Sequence, residues 1–226
     1  MKTKRFLLIP VFLGVLFFGC EKMEDISLEP SLIQLNEKAQ QLVSSSSAFG
    51  VDLFKAIINS EIQDKNLMIS PYSVSSALCM TYNGADGTTR TAMEDALRLK
   101  GLSIDEVNIN YKQITNALIQ VDKRVTISIA NSIWYRDDFY VLPDFITMNQ
   151  DFYDAQVTSM DFGSPGAVDI INNWVASKTN NRIPEIIDEI DPYTVMFLIN
   201  AIYFKGPWKY TFDKKNNCID ITQIPY

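Results

Sequence analysis

Residues 194–204 read Thr194-Val195-Met196-Phe197-Leu198-Ile199-Asn200-Ala201-Ile202-Tyr203-Phe204, an apolar run broken by one amide. In extended conformation these residues reach about 36 Å, long for a strand. Polar and apolar residues do not alternate, so both faces need cover, and such a strand belongs in the middle of a large sheet. Asn200 stands apart. An amide among Leu198, Ile199, Ile202 and Phe204 costs roughly 1–3 kcal/mol if its hydrogen bonds go unmade. It is therefore expected to have specific partners.

Upstream, the apolar periodicity changes from strand to helix. Asn66 to Ile69 reads as a short strand. Ser70-Pro71 then pairs a capping hydroxyl with a proline at the first helical position. The helix that follows is expected to turn Val74, Ala77, Leu78 and Thr81 inward, with Asn83-Gly84 as a left-handed stop. Before it, Ser47 is expected to cap a helix with Phe49, Leu53, Ala56 and Ile57 on one stripe. After it, a helix starts at Thr88 or Thr89 and stops at Gly101. Another covers 105–121 with Val107, Tyr111, Ile114 and Leu118 aligned. Residues 126–135 alternate with period two, as in a strand. A helix over 142–151, a strand over 156–162 and a helix opened by Ser164-Pro165 complete the pattern. That last helix carries Val168, Ile171, Trp174 and Val175 inward and ends by Asn180-Asn181. Helices leading into long antiparallel-type strands imply an α+β fold.

Composition narrows the function. Of 226 residues, 47% are hydrophobic and 21% charged, which fits a globular chain. The net charge of −7, with no dense basic cluster outside the first residues, argues against nucleic-acid binding. Histidine is absent, which removes the commonest general base and the commonest transition-metal ligand. Cys20, Cys79 and Cys218 have no metal-binding spacing. Asp137-Asp138 reads as a solvated turn rather than an acid/base pair. No enzyme, metal or cofactor is expected, and no catalytic residue is assigned.

The first 19 residues read as an export signal: Lys2, Lys4 and Arg5, then an apolar stretch over 6–18 that is too short to span a bilayer. Gly19-Cys20 resembles a bacterial lipobox, against the plainer alternative of a secretory signal with an incidental cysteine. Acyl chains on Cys20 would hold the exported chain on the bacterial membrane or cell surface, since each buried CH₂ contributes about 0.8 kcal/mol. Residues 20–47, ending in four serines, read as that cysteine plus a polar tether, with room for a short helix near Ile33 to Leu42.

Two long segments carry a family resemblance. Asn66-Leu67-Met68-Ile69-Ser70-Pro71-Tyr72-Ser73-Val74-Ser75-Ser76-Ala77-Leu78, continuing to Thr89, resembles the serpin strand-and-helix segment beneath the main sheet. Phe197 to Trp208 resembles the end of the third strand of serpin sheet A. Between them, Ile129 to Trp134 resembles the second strand, and Asn172 to Ile183 the helix crossing its face. The resemblance implies amino-terminal helices packed under part of a large, mainly antiparallel sheet. It also implies serine proteases as partners, inhibited by insertion of a cleaved reactive loop into that sheet. By the same resemblance Ser70, Ser73 and Asn200 match the shutter and Trp208 the breach where insertion begins. Two plainer readings stay open: Ser70 as a helix cap only, and Trp208 as core packing. The similarity runs over 48–213; the tail 214–226 departs from it. The reactive loop and the other carboxyl-terminal elements of the family are expected to be missing, leaving an inactive inhibitor or, alternatively, a non-inhibitory binding scaffold.

Overall fold

The computed structural model describes residue 30 and residues 32–60 and 66–208. The leader, Cys20, Cys218 and the tail 214–226 lie outside the described residues.

The four serines do not form a tether. They sit inside α1 (Glu37–Asn59), a single helix of 23 residues whose start is capped by Asn36, the side chain of which accepts from the Ala39 amide. Ser47 is mid-helix and its hydroxyl donates to the Val43 carbonyl, so it caps nothing, and the boundary expected at 47 falls within the helix. Serine is a weak helix former because it competes for nearby backbone groups. Here the competition is turned outward: buried Ser45 donates to the Arg98 carbonyl at 2.7 Å, and Ala39, Leu42 and Phe49 bury the same side of the helix.

Residues 66–70 form no strand. The Ser70-Pro71 start holds, and α2 (Pro71–Tyr82) follows. Its buried face is Ser75, Ser76, Cys79, Met80 and Tyr82, while Val74 and Thr81 lie at the surface. Ala77 and Leu78 pack half-buried against the core as expected, but the most buried positions shift to residues whose hydroxyls find partners that a hydropathy pattern does not register. Asn83 is right-handed and Gly84 has no positive φ, so the expected left-handed stop is absent. Gly84 is instead a close approach: a Cβ there would lie 3.0 Å from the Phe145 ring, which would have to shift.

α3 (Gly87–Ala96) starts at Asp86 and α4 (Ile104–Gln120) at Ser103, the latter with a reciprocal Ser103–Glu106 capping box. β1 (Thr126–Arg136), α5 (Pro143–Tyr153) and β2 (Gln156–Met160) come next. α6 (Ala167–Lys178) begins after left-handed Gly166 with no side-chain cap, not at Ser164. It ends before Asn180 and Asn181, both left-handed as expected of a stop. β3 (Met196–Lys205) closes the described fold.

The sheet order is β2-β1-β3. β3 runs antiparallel to β1, but β2 runs parallel to it, so this part of the sheet is mixed. Strand pleating divides the core in two. On one face Leu198 and Val157 join the helical cluster of Leu42, Met80, Tyr82, Val107, Tyr111 and Tyr153. On the other, Trp134, Phe197, Ile199 and Ala201 meet Ile171 and Val175 of α6. The result is helices on both faces of an α+β fold.

Candidate functional site

The first turn of α2 lies against the sheet. Ser70 caps it by accepting the Ser73 amide at 3.3 Å, and its own hydroxyl is at the surface. One turn further in, the Ser73 hydroxyl donates to Asn200 Oδ1 on β3. The Asn200 amide donates across the sheet to Asn131 Oδ1 at 2.7 Å, the two residues being direct partners in the β1–β3 register. Asn131 in turn donates to the Tyr153 carbonyl at 2.7 Å, at the end of α5. A helix, two strands and a second helix are thereby joined through three side chains. Ser73 and Asn200, predicted from sequence, come together; Ser70 does not enter the chain.

Asn131 was legible but not singled out. In 126–135 the inward phase is Ile127, Ile129, Ile133 and Tyr135, and Asn131 interrupts it as Asn200 interrupts β3. Tyr153, Asn108 and Asn83, which extend the polar path, carry no comparable signal. The Tyr153 hydroxyl donates to Asn108 Oδ1 at 2.9 Å, and Asn108 donates to Asn83 Oδ1 at 2.9 Å. Asn83 reaches Asn149 at 3.4 Å, and Asn149 donates to the Phe145 carbonyl. Asn108 and Asn149 are fully buried, so each bond they make offsets a desolvation penalty.

Beside this path Tyr111 donates to Ser75 at 2.7 Å, and Tyr72 bonds Thr115. Burial pushes the Tyr72 phenol up to about 12 and the Cys79 thiol up to about 12. Burial likewise holds Tyr111 and Tyr153 well above the ordinary phenol range. At neutral pH these groups stay protonated. The arrangement therefore offers donors and acceptors that can exchange partners rather than a base.

The opposite face has its own clamp. Asn172 of α6 accepts the Ile186 and Ile187 amides at 2.9 and 3.1 Å and donates to the Ile187 carbonyl at 2.7 Å. This fastens the segment whose Ile183, Ile187 and Ile190 pack against the α6 core. Trp208 stands past the end of β3, 71% exposed, beside a cavity of about 450 Å³ lined with Val125, Phe204 and Pro207. That is not the buried packing considered as one alternative for it. Asp138 pairs with Arg136 in the turn after β1. Among the described residues no three His, Cys, Asp or Glu side chains converge as a metal site would require.

Comparison with known proteins places this geometry. The family model for serpin (serine protease inhibitor) matches residues 44–219. The leukocyte elastase inhibitor of Bos taurus is 33% identical over 177 residues, 76% of this chain and 46% of that protein. Serpin B8 of Homo sapiens is 34% identical over 77% of this chain and 47% of its own length. Among solved structures, the thermophilic serpin tengpin in its native state is 37% identical with a TM-score of 0.70, covering 82% of this chain and 46% of that one. Its latent state fits about equally well, with a TM-score of 0.71 over 82% of this chain and 48% of that one. The chain spans about half the length of the curated relatives it matches. From the capped start of α2 to the antiparallel β1–β3 pair, the described fold lies within the matched span, and the chain belongs to the serpin family.

Proposed function

We propose that the chain is the shutter-bearing portion of a serine-protease inhibitor that works by loop insertion, and that these 226 residues alone do not trap a protease. The observation that carries the reading is the Ser73–Asn200–Asn131 path. It ties β3 and β1 to α2 through hydrogen bonds whose donors and acceptors can be exchanged as the strands shift, where apolar packing would resist sliding without offering alternative partners. β3 supports it further. Among the described residues its edge away from β1 has no strand beside it, and from Met196 to Phe204 it has no proline or charge, Lys205 being its last residue. Such an edge accepts an added strand. In this reading Ser73 and Asn200 are positioning residues, Ser70 caps the helix on which Ser73 is presented, and Trp208 marks the end of β3 from which insertion proceeds.

The test is incubation with elastase-, trypsin- and subtilisin-like proteases, followed by denaturing electrophoresis. The chain alone is expected to give no detergent-stable complex. The same residues joined to the remaining half of a related inhibitory serpin are expected to give one. A complex with the chain alone would refute its inactivity, and a folded chimera acting as a binder without trapping would favour the scaffold reading.

The surface location belongs to the same proposal. Lipid on Cys20 would hold the inhibitor where foreign proteases arrive. Palmitate labelling should mark the wild type and not Cys20→Ala; equal labelling, or a freely soluble wild type, would refute it.

A further inference from the structure

The polar path does not end at Tyr153. It returns to α2, the helix from which it started, at the opposite end. Ser73 lies in the first turn of α2 and Asn83 is its C-cap. Between them run Asn200, Asn131, Tyr153 and Asn108. Tyr153 is the junction, since its carbonyl accepts from the sheet and its hydroxyl donates to the helices. Its ring is held independently, 5.8 Å from that of Tyr111. The hydroxyl can therefore be removed without removing the packing.

We propose that the shutter has a second latch, the Tyr153–Asn108–Asn83 arm, which fastens β1 to the far end of α2 while Ser73–Asn200 fastens β3 to the near end. The inference rests on the shutter reading above and adds a regulatory point to it. Two attachments to one rigid helix oppose the same slide. Displacing β1 and β3 together over α2 requires both to let go, because Asn131 carries the motion of the strands to Tyr153. The arm reaches α4 and α5, so anything that repacks those helices near Asn108 or Asn149 acts on the sheet from a distance. Gly84, the residue after Asn83, lines a cavity of about 420 Å³ together with Met93, Tyr140, Leu142 and Leu198.

The geometry assigns Tyr153, Asn108 and Asn83 as positioning residues, and amide exchange followed residue by residue tests them. The full chain is used at submicromolar concentration, with the α6 amides from Ile171 to Val175 as the internal reference for global opening. Tyr153→Phe is expected to speed exchange about five- to tenfold at the first turn of α2, where the Val74 amide bonds the Ser70 carbonyl, with α6 unchanged. Asn83→Ala should do the same and serves if Tyr153→Phe does not fold. Asn200→Ala supplies the control. If it accelerates that turn while Tyr153→Phe and Asn83→Ala do not, or do so only in step with α6, the second latch is overturned and the shutter stands. If Asn200→Ala also leaves the turn unchanged, the shutter reading fails and the latch with it.

Discussion

β1 and β3 are neighbours of almost equal length with opposite fates. β1 is paired with β3 along nearly its whole length and with β2 from Ser132 to Arg136, and Asn131, Ser132, Ile133 and Trp134 are buried at its centre although half of its residues are polar or small. β3 is far more apolar, yet only Ile199 and Ala201 are buried and Phe204 is 67% exposed. Place in the sheet, not hydropathy, decides burial. Where apolarity exceeds the cover supplied by the described residues, as in β3, it marks a strand suited to a second neighbour.

If β1 owes its hold to the helices behind it, loosening those helices should be the strongest perturbation. The thiol of Cys79 and the phenols of Tyr72, Tyr111 and Tyr153 are all raised by burial. Their neutral forms are favoured in the fold. This stability is fully present below the unfolded values, near 9.0 for the thiol and 10.0 for a phenol, and is lost as pH rises through the folded ones, about 12 for Cys79 and Tyr72. Thermal melts at stepped pH should be flat from 7 to 8 and fall steeply above 9. A melting temperature constant to pH 11 would contradict the packing.

Truncation tests the strands themselves. Trp134→Ala should cost about 3–5 kcal/mol, since the ring is 2% exposed and packs edge-on against Trp174. Phe204→Ala should cost under about 1 kcal/mol. Equal losses in urea denaturation would erase the distinction between the strands. Asn200→Ala falls between them. It leaves Asn131 Oδ1 and the Ser73 hydroxyl without their partner, and a loss of about 1–3 kcal/mol is expected. An unchanged denaturation midpoint would remove Asn200 from its bridging role.

The weakest expected effect is intermolecular. An edge that no strand covers among the described residues, and that is uncharged from Met196 to Phe204, is a template for pairing. Sedimentation should show the chain associating as concentration rises above micromolar. A monodisperse monomer throughout that range would mean that β3 is covered.

The same contrast explains what could be read from sequence. β3 was legible because eleven residues with one amide leave few alternatives, and the start of α2 because Ser-Pro fixes both cap and first turn. The second half of α1 was legible from its apolar stripe, but its passage through the serines was not, since they resemble a linker until Ser45 finds the Arg98 carbonyl and Ser46 approaches Tyr111, contacts distant in sequence. The buried face of α2 was read only in part, Ala77 and Leu78 packing inward but not Val74, for the same reason: Ser75 is held by Tyr111, and hydropathy favours Val74. The parallel β1–β2 pairing has no local signature at all. Of the site, Ser73 and Asn200 were visible. Asn131 required comparing the phases of two strands, and Tyr153 required the fold.

The central claim is that Asn200 makes α2 and β1 act as one unit through a polar bridge. Ser73 and Asn131 bond opposite ends of the Asn200 amide, so their coupling isolates that bridge. A double-mutant cycle with Ser73→Ala and Asn131→Ala, read by urea denaturation, should give a coupling of about 0.5–3 kcal/mol that vanishes when the cycle is repeated on Asn200→Ala. Losses that add to within about 0.3 kcal/mol, with or without Asn200, would contradict the account.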